Sequence, residues 1–156
     1  MLSFFFFGTL MDSDLRDLVV GRPILEECVR KAFLPNTRRV AIRGQSYPIV
    51  VPDAGNRVEG HLVRDLDETA AARLGYYEGD EFNAELRDIE LPTENYTKAW
   101  VFLTNPDLSL TSGKWRLGDW QRQFKRESLC QARSAMAEID TLELDGLKAD
   151  WRNASA

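Results

Sequence analysis

The sequence predicts an α+β fold with a curved sheet, largely antiparallel or mixed. Two observations carry this. Stretches with strand character outnumber helical ones, and the helical stretches do not alternate regularly with them, as a doubly wound fold would require. A chain of 156 residues favours one domain and is long enough to bury a real core.

Phe4 to Phe7 has the length and aromatic content of a strand buried on both faces. Gly8-Thr9-Leu10 turns the chain. Asp12, Ser13 and Asp14 are candidate caps for a short helix over Leu15 to Val20, which Gly21 stops. Residues 25–34 and 38–43 read as strands, with Pro35-Asn36 as a turn between them. Tyr47 to Pro52 is an extended piece bracketed by prolines, residues 53–56 a turn, and Arg57 to Val63 another strand. Asp65 or Asp67 caps a helix to about Tyr77, with Leu66, Ala70, Leu74 and Tyr77 on its apolar side and Gly79-Asp80 at its end. Phe82 to Arg87 alternates as a half-exposed strand, and Lys98 to Thr104 is a more buried one. Asp119 to about Ile139 has the spacing of one long amphipathic helix, through Trp120, Phe124, Leu129, Ala132, Met136 and Ile139. The domain is expected to span 1–139. Residues 140–156 are expected to form a weakly ordered tail, anchored if at all by Trp151.

Composition excludes several function classes. Hydrophobic content of 44% and charged content of 29% are those of an ordinary globular domain. A net charge of −5 argues against nonspecific nucleic-acid binding, which needs a basic face. No stretch approaches the roughly 18 apolar residues of a membrane helix, and no Lys or Arg precedes the phenylalanine run as a leader would require. The protein is expected to be soluble and cytoplasmic. Cys28 and Cys130 imply no disulfide scaffold, and a single histidine, His61, leaves no Cys/His cluster for zinc.

Two places could carry chemistry. The turn from Gly8 to Met11 follows a buried strand, so its backbone N–H groups could approach a carboxylate or phosphate; taken alone, its ordinary reading is a plain turn. Glu78 falls at i+4 after Leu66, Ala70 and Leu74, at the edge of the core-facing stripe and at a helix C-terminus. Burial and the helix dipole would both raise its pKa toward what a general base needs. Its ordinary reading is an exposed Glu beyond a frayed helix end. Arg38, Arg39 and Arg57 read as solvated strand ends, Lys125-Arg126 as the polar face of the last helix, and His61 as a satisfied strand residue. No G-x-S-x-G is present to support a serine nucleophile.

Taken together, F-F-F-F-G-T-L, S-Y-P-I-V-V-P, R-V-E-G-H-L-V, A-A-R-L-G-Y-Y-E-G-D-E-F and A-W-V-F-L resemble, in that order, the gamma-glutamylcyclotransferase-like family, which includes the plant avirulence-induced-gene proteins. The similarity covers roughly residues 3–104. It implies a small α+β fold around a barrel-like mixed sheet with flanking helices. It also implies cyclisation of a γ-glutamyl amine or peptide to 5-oxoproline, with no metal or organic cofactor and a small molecule as the only partner. By position, Glu78 matches the catalytic acid/base, and Phe7, Gly8, Thr9, Leu10, Met11 and Tyr47 match the substrate side. Phe7, Gly75 and Phe102 stand where the pattern has tyrosine, aspartate and tyrosine, and the loop differs from that of the glutathione-degrading branch. Those departures motivate a second reading, a binding module that keeps the pocket without catalysis. A third, an adaptor surface around Trp115, Trp120 and Trp151, rests on aromatic density alone.

Overall fold

The computed structural model describes residues 1–139 and 144–154. Among the described residues, five strands close into a barrel in the order β1-β3-β2-β4-β5, with five α-helices around it. They are β1 (Leu2–Phe6), β2 (Val29–Ala41), β3 (Pro48–Leu66), β4 (Asn83–Glu90) and β5 (Tyr96–Leu103). The helices are α1 (Ser13–Val20), α2 (Glu68–Glu78), α3 (Leu117–Gln123), α4 (Lys125–Ile139) and α5 (Asp145–Ala154). Every strand pair is antiparallel except β1 with β5, so the sheet is mixed, as expected.

The phenylalanine run works by strand alternation. Phe5 and Phe7 point into the barrel with Leu34, Val58, Leu62 and Val101, while Phe4 and Phe6 point outward under the helices with Leu15, Leu74 and Trp120. Burial on both faces explains how the chain accommodates four aromatics in a row. β1 lies antiparallel to β3, with Phe5 opposite Leu62 and Phe6 opposite His61. Gly60 permits this closeness: a Cβ there would stand 2.3 Å from the Phe6 carbonyl oxygen.

Three elements differ from expectation. The short strands expected over 25–43 and 47–63 form one long β2–β3 ladder from Val29↔Val63 to Ala41↔Pro48. Its turn-forming residues face each other as a bulge, where pairing shifts from Pro35↔Arg57 to Thr37↔Pro52. Asn36 takes a positive φ of 57° and its side-chain oxygen accepts the Gly55 N–H at 3.1 Å. Cross-strand partners thus absorb the turn residues instead of letting them reverse the chain. The long C-terminal helix breaks at Phe124 (φ −127°, ψ −15°), which leaves that ring exposed rather than in the apolar stripe. Of the expected tail, residues 145–154 are the helix α5; residues 140–143 and 155–156 lie outside the described residues. Trp151 on α5 packs against Phe4 at 5.3 Å and Trp100 at 5.4 Å. It also sits over Gly75, where a Cβ would be 3.8 Å from the indole nitrogen.

The helix break has a counterpart across the fold. Asp12 caps α1 by accepting the Leu15 N–H at 3.0 Å, with its carboxylate only 2% exposed. Lys125, expected on a solvated face, reaches Asp12 at 2.9 Å and Asp14 at 2.7 Å, and Gln121 donates to Asp12 at 2.9 Å. Burial pushes the Asp12 pKa up, but the bonds from Lys125, Leu15 and Gln121 outweigh it and hold the group below its ordinary value of 3.8. A lowered folded pKa contributes stability that is present above the unfolded value and lost as pH falls through the folded one. Asp12→Asn is therefore expected to cost about 1–2 kcal/mol at pH 7 by urea unfolding, a difference that shrinks as pH falls below 3.8.

Candidate functional site

The end of α2 and the turn after β1 meet at one cavity of about 370 Å³. Phe7, Gly8, Thr9 and Leu10 form one wall and Glu78 with Tyr77 another. Tyr47 and Pro48 enter from the loop before β3, and Ser128 and Gln131 from α4. Residues 9–11 make a single 3₁₀ turn, closed by the Met11 N–H on the Gly8 carbonyl at 3.0 Å. Such a turn leaves its first N–H groups without acceptors of their own. Of the seven residues that sequence reasoning singled out, the cavity gathers Glu78, Phe7, Gly8, Thr9, Leu10 and Tyr47 but not Met11. The tight turn carries Met11 to the far side, where its side chain packs on the outer core and its carbonyl accepts from Arg16 at 3.2 Å.

Glu78 is the last residue of α2, whose register Asp67 sets by capping the Ala70 N–H at 2.8 Å. Glu78 is half-buried, and its carboxylate makes no hydrogen bond or ion pair among the described residues. Desolvation alone pushes its pKa up to about 7. The neighbouring Tyr77 hydroxyl is pushed up to about 12, by burial first and then by the Glu78 charge. Tyr47 is raised likewise, by burial first and then by Glu81 and Glu78. A carboxylate held near neutrality beside two neutral phenols can take and return a proton at physiological pH.

The supports of this wall are polar. Arg16, only 5% exposed, donates to the Leu10 carbonyl at 3.3 Å as well as to Met11. His61 lies beneath the same turn, outside the cavity lining. Burial and the Arg16 charge lower its pKa and keep it neutral. Its Nδ1 is buried without a partner among the described residues, which differs from the satisfied strand residue expected. Arg39 departs further. Read as a solvated strand end, it instead donates to the Phe7 carbonyl at 2.8 Å and the Glu59 carbonyl at 3.0 Å. Its guanidinium lies 5.8 Å from the Trp115 ring, and Trp115 donates to the Ser46 carbonyl at 2.8 Å. Both loops at the cavity are thereby tied to one arginine. Arg39→Met is expected to lower stability by about 1–3 kcal/mol and to weaken ligand binding, whereas a surface control, Arg38→Met, changes stability by less than about 0.5 kcal/mol. Thermal unfolding with calorimetric titration of a cavity ligand checks both.

The family described as gamma-glutamyl cyclotransferase, AIG2-like, matches residues 4–122. The chain belongs to this family. AIG2-like protein D of Arabidopsis thaliana is 27% identical over 146 residues, covering 88% of this chain and 90% of its own. AIG2-like protein B of the same plant is 23% identical over 125 residues, covering 76% and 68%. An Arabidopsis thaliana protein solved in solution superposes with a TM-score of 0.63 at 20% identity, over 87% of this chain and 91% of that one. A structure titled gamma-glutamyl cyclotransferase gives 0.52 at 8% identity, over 85% and 86%. At those identities the structural likenesses show the fold, and the family match adds a cyclotransferase-like function in outline.

Within this gamma-glutamyl cyclotransferase-like fold, sequence reasoning missed Arg39, Glu81 and the α4 wall of the cavity. Arg39 had no signal, because the bulge at Asn36 shifts which residues of β2 face inward. Glu81 was in view three residues beyond Glu78, but only the turn that begins at Gly79 aims it at the cavity.

Proposed function

We propose that the chain is a γ-glutamyl cyclotransferase-like enzyme that converts a γ-glutamyl amine or small γ-glutamyl peptide into 5-oxoproline and the free amine. One observation carries the reading: Glu78, without a partner among the described residues and with its pKa near 7, faces a cavity that it shares with the turn of Phe7 to Leu10. The substrate's α-amine and γ-carbonyl belong to one molecule, so a folded-back pose makes the attack intramolecular. The glutamyl α-carboxylate is placed against the N–H groups of the 8–10 turn, with Tyr47 closing over it. The α-nitrogen forms a bond to the γ-carbon as the bond from that carbon to the leaving nitrogen breaks. Overall two protons leave the α-ammonium and two reach the departing amine, and Glu78 carries them in turn. N–H donors of the turn steady the oxyanion that forms between. The step as written uses no metal or organic cofactor.

The test is 5-oxoproline release from a panel of γ-glutamyl amines and γ-glutamyl dipeptides. Multiple turnovers on any member support the reading. Binding of panel members without product would instead favour the non-catalytic module.

A further inference from the structure

We infer that the cavity selects γ-glutamyl amides whose released amine carries a second positive charge, and that Glu81, beside Tyr47 and Phe82, is the residue that reads it. The inference rests on the cyclotransferase reading and narrows it to one substrate class.

The charges on the wall point one way. Among the described residues that line the cavity, the carboxyl side chains are those of Glu78 and Glu81, and no lysine, arginine or histidine joins them. The cations supporting the site are committed elsewhere: Arg39 to the Phe7 and Glu59 carbonyls, and Lys125 to Asp12 and Asp14. A leaving group that ended in a carboxylate, as an amino acid does, would face two acidic side chains with no counter-charge. One that ended in an ammonium would find partners for it.

The two carboxylates hold different positions. Glu78 closes α2 at the inner wall. Gly79, with φ 74°, then turns the chain, and the Phe82 N–H returns to the Gly79 carbonyl at 3.4 Å. Asp80 and Glu81 occupy the corners of that turn; Asp80 is absent from the lining, and Glu81 is exposed at the rim. Glu81 lies close enough to Tyr47 to raise the pKa of its hydroxyl, after burial has done so. The Tyr47 ring meets Phe82 edge-on at 5.9 Å, and both rings line the cavity. An ammonium at this rim would have a carboxylate, a phenol oxygen and an aromatic face around it, the surroundings that favour a cation. The inner carboxylate is then left to the reaction while the rim carboxylate recognises the departing group.

Three L-glutamate γ-amides of matched length test this: those of 1,4-diaminobutane, butylamine and 4-aminobutanoate. kcat/KM is measured for wild type and Glu81→Gln, and Kd for all three on Glu78→Gln, which retains Glu81. The expected kcat/KM for the cationic amide exceeds the neutral one by about fivefold and the anionic one by about tenfold or more. In Glu81→Gln the cationic-to-neutral ratio falls toward one. Rising salt lowers the wild-type ratio in the same direction, which checks the charge effect without any substitution. Equal handling of the anionic and cationic amides, or an unchanged ratio in Glu81→Gln, would overturn the inference. If no amide yields 5-oxoproline, the reaction reading fails, and the order of the three Kd values still decides the charge preference.

Discussion

Glu78→Gln is expected to reduce 5-oxoproline formation by about 10²–10⁴-fold, the range for loss of a general acid/base, while making the folded protein more stable at neutral pH. The second effect follows from the first residue's environment. Its folded pKa is raised to about 7 from an ordinary 4.5, so the folded state binds more protons than the unfolded one between those values. Stability therefore falls as pH rises across that window, and the ionised carboxylate works against the fold above it. A neutral amide of the same shape removes that cost. Allowing for the side open to the cavity, the gain is about 2 kcal/mol at pH 8, or roughly 4–8 °C in Tm, and close to nothing at pH 4. Wild-type kcat/KM should fall about tenfold per unit below pH 7, where the base form is lost. Thermal unfolding at the two pH values and one rate profile measure all of this. A variant less stable than wild type at pH 8, or one that turns over at the wild-type rate, would remove Glu78 from the role.

Gly60→Ala is expected to cost roughly 3 kcal/mol. The added carbon would fall 2.3 Å from the Phe6 carbonyl oxygen and 2.6 Å from the Phe5 ring. Neither neighbour can yield, since one is backbone in the β1–β3 ladder and the other fills the barrel. If β1 moves to relieve the clash, Phe7 and Gly8 move with it, so ligand binding should weaken along with stability. Gly146→Ala makes the contrast: nothing lies within 4 Å, the site is helical, and a gain of about 0.5–1 kcal/mol is expected. Chemical denaturation of the pair reads both signs. A Gly60→Ala protein as stable as wild type would show that β1 and β3 tolerate a wider spacing.

Much of the fold was legible where local chemistry decides it. The Phe4 to Phe7 strand, the Asp12 and Asp67 caps, the Gly21 stop and the α2 stripe that ends on Glu78 all follow from residues within one turn of each other. What could not be read depends on partners distant in sequence. Pro35-Asn36 and residues 53–56 are turn formers by composition, and only their mutual pairing makes them a bulge. That bulge sends Arg39 toward Phe7, a consequence no pattern within β2 announces. Phe124 fits a helical stripe by spacing, yet Lys125 gains more by reaching Asp12 and Asp14, and the helix breaks there. In the site, Glu78 was found because burial and spacing mark it locally, whereas Glu81 needed the direction of one turn.

The seam between β1 and β5 pairs Phe4 with Trp100, and Trp151 lies against both rings. The first strand and α5 are thus held by the same aromatic contact, beside the ion pair of Arg152 on α5 with Glu68 on α2, and the chain is joined into a loop. Its two ends should leave the native state together, in one cooperative transition. Amide exchange in β1 and in α5 should slow and quicken in parallel across mutants of this contact. A fragment cut after Ile139 loses this contact and is expected to open first along β1.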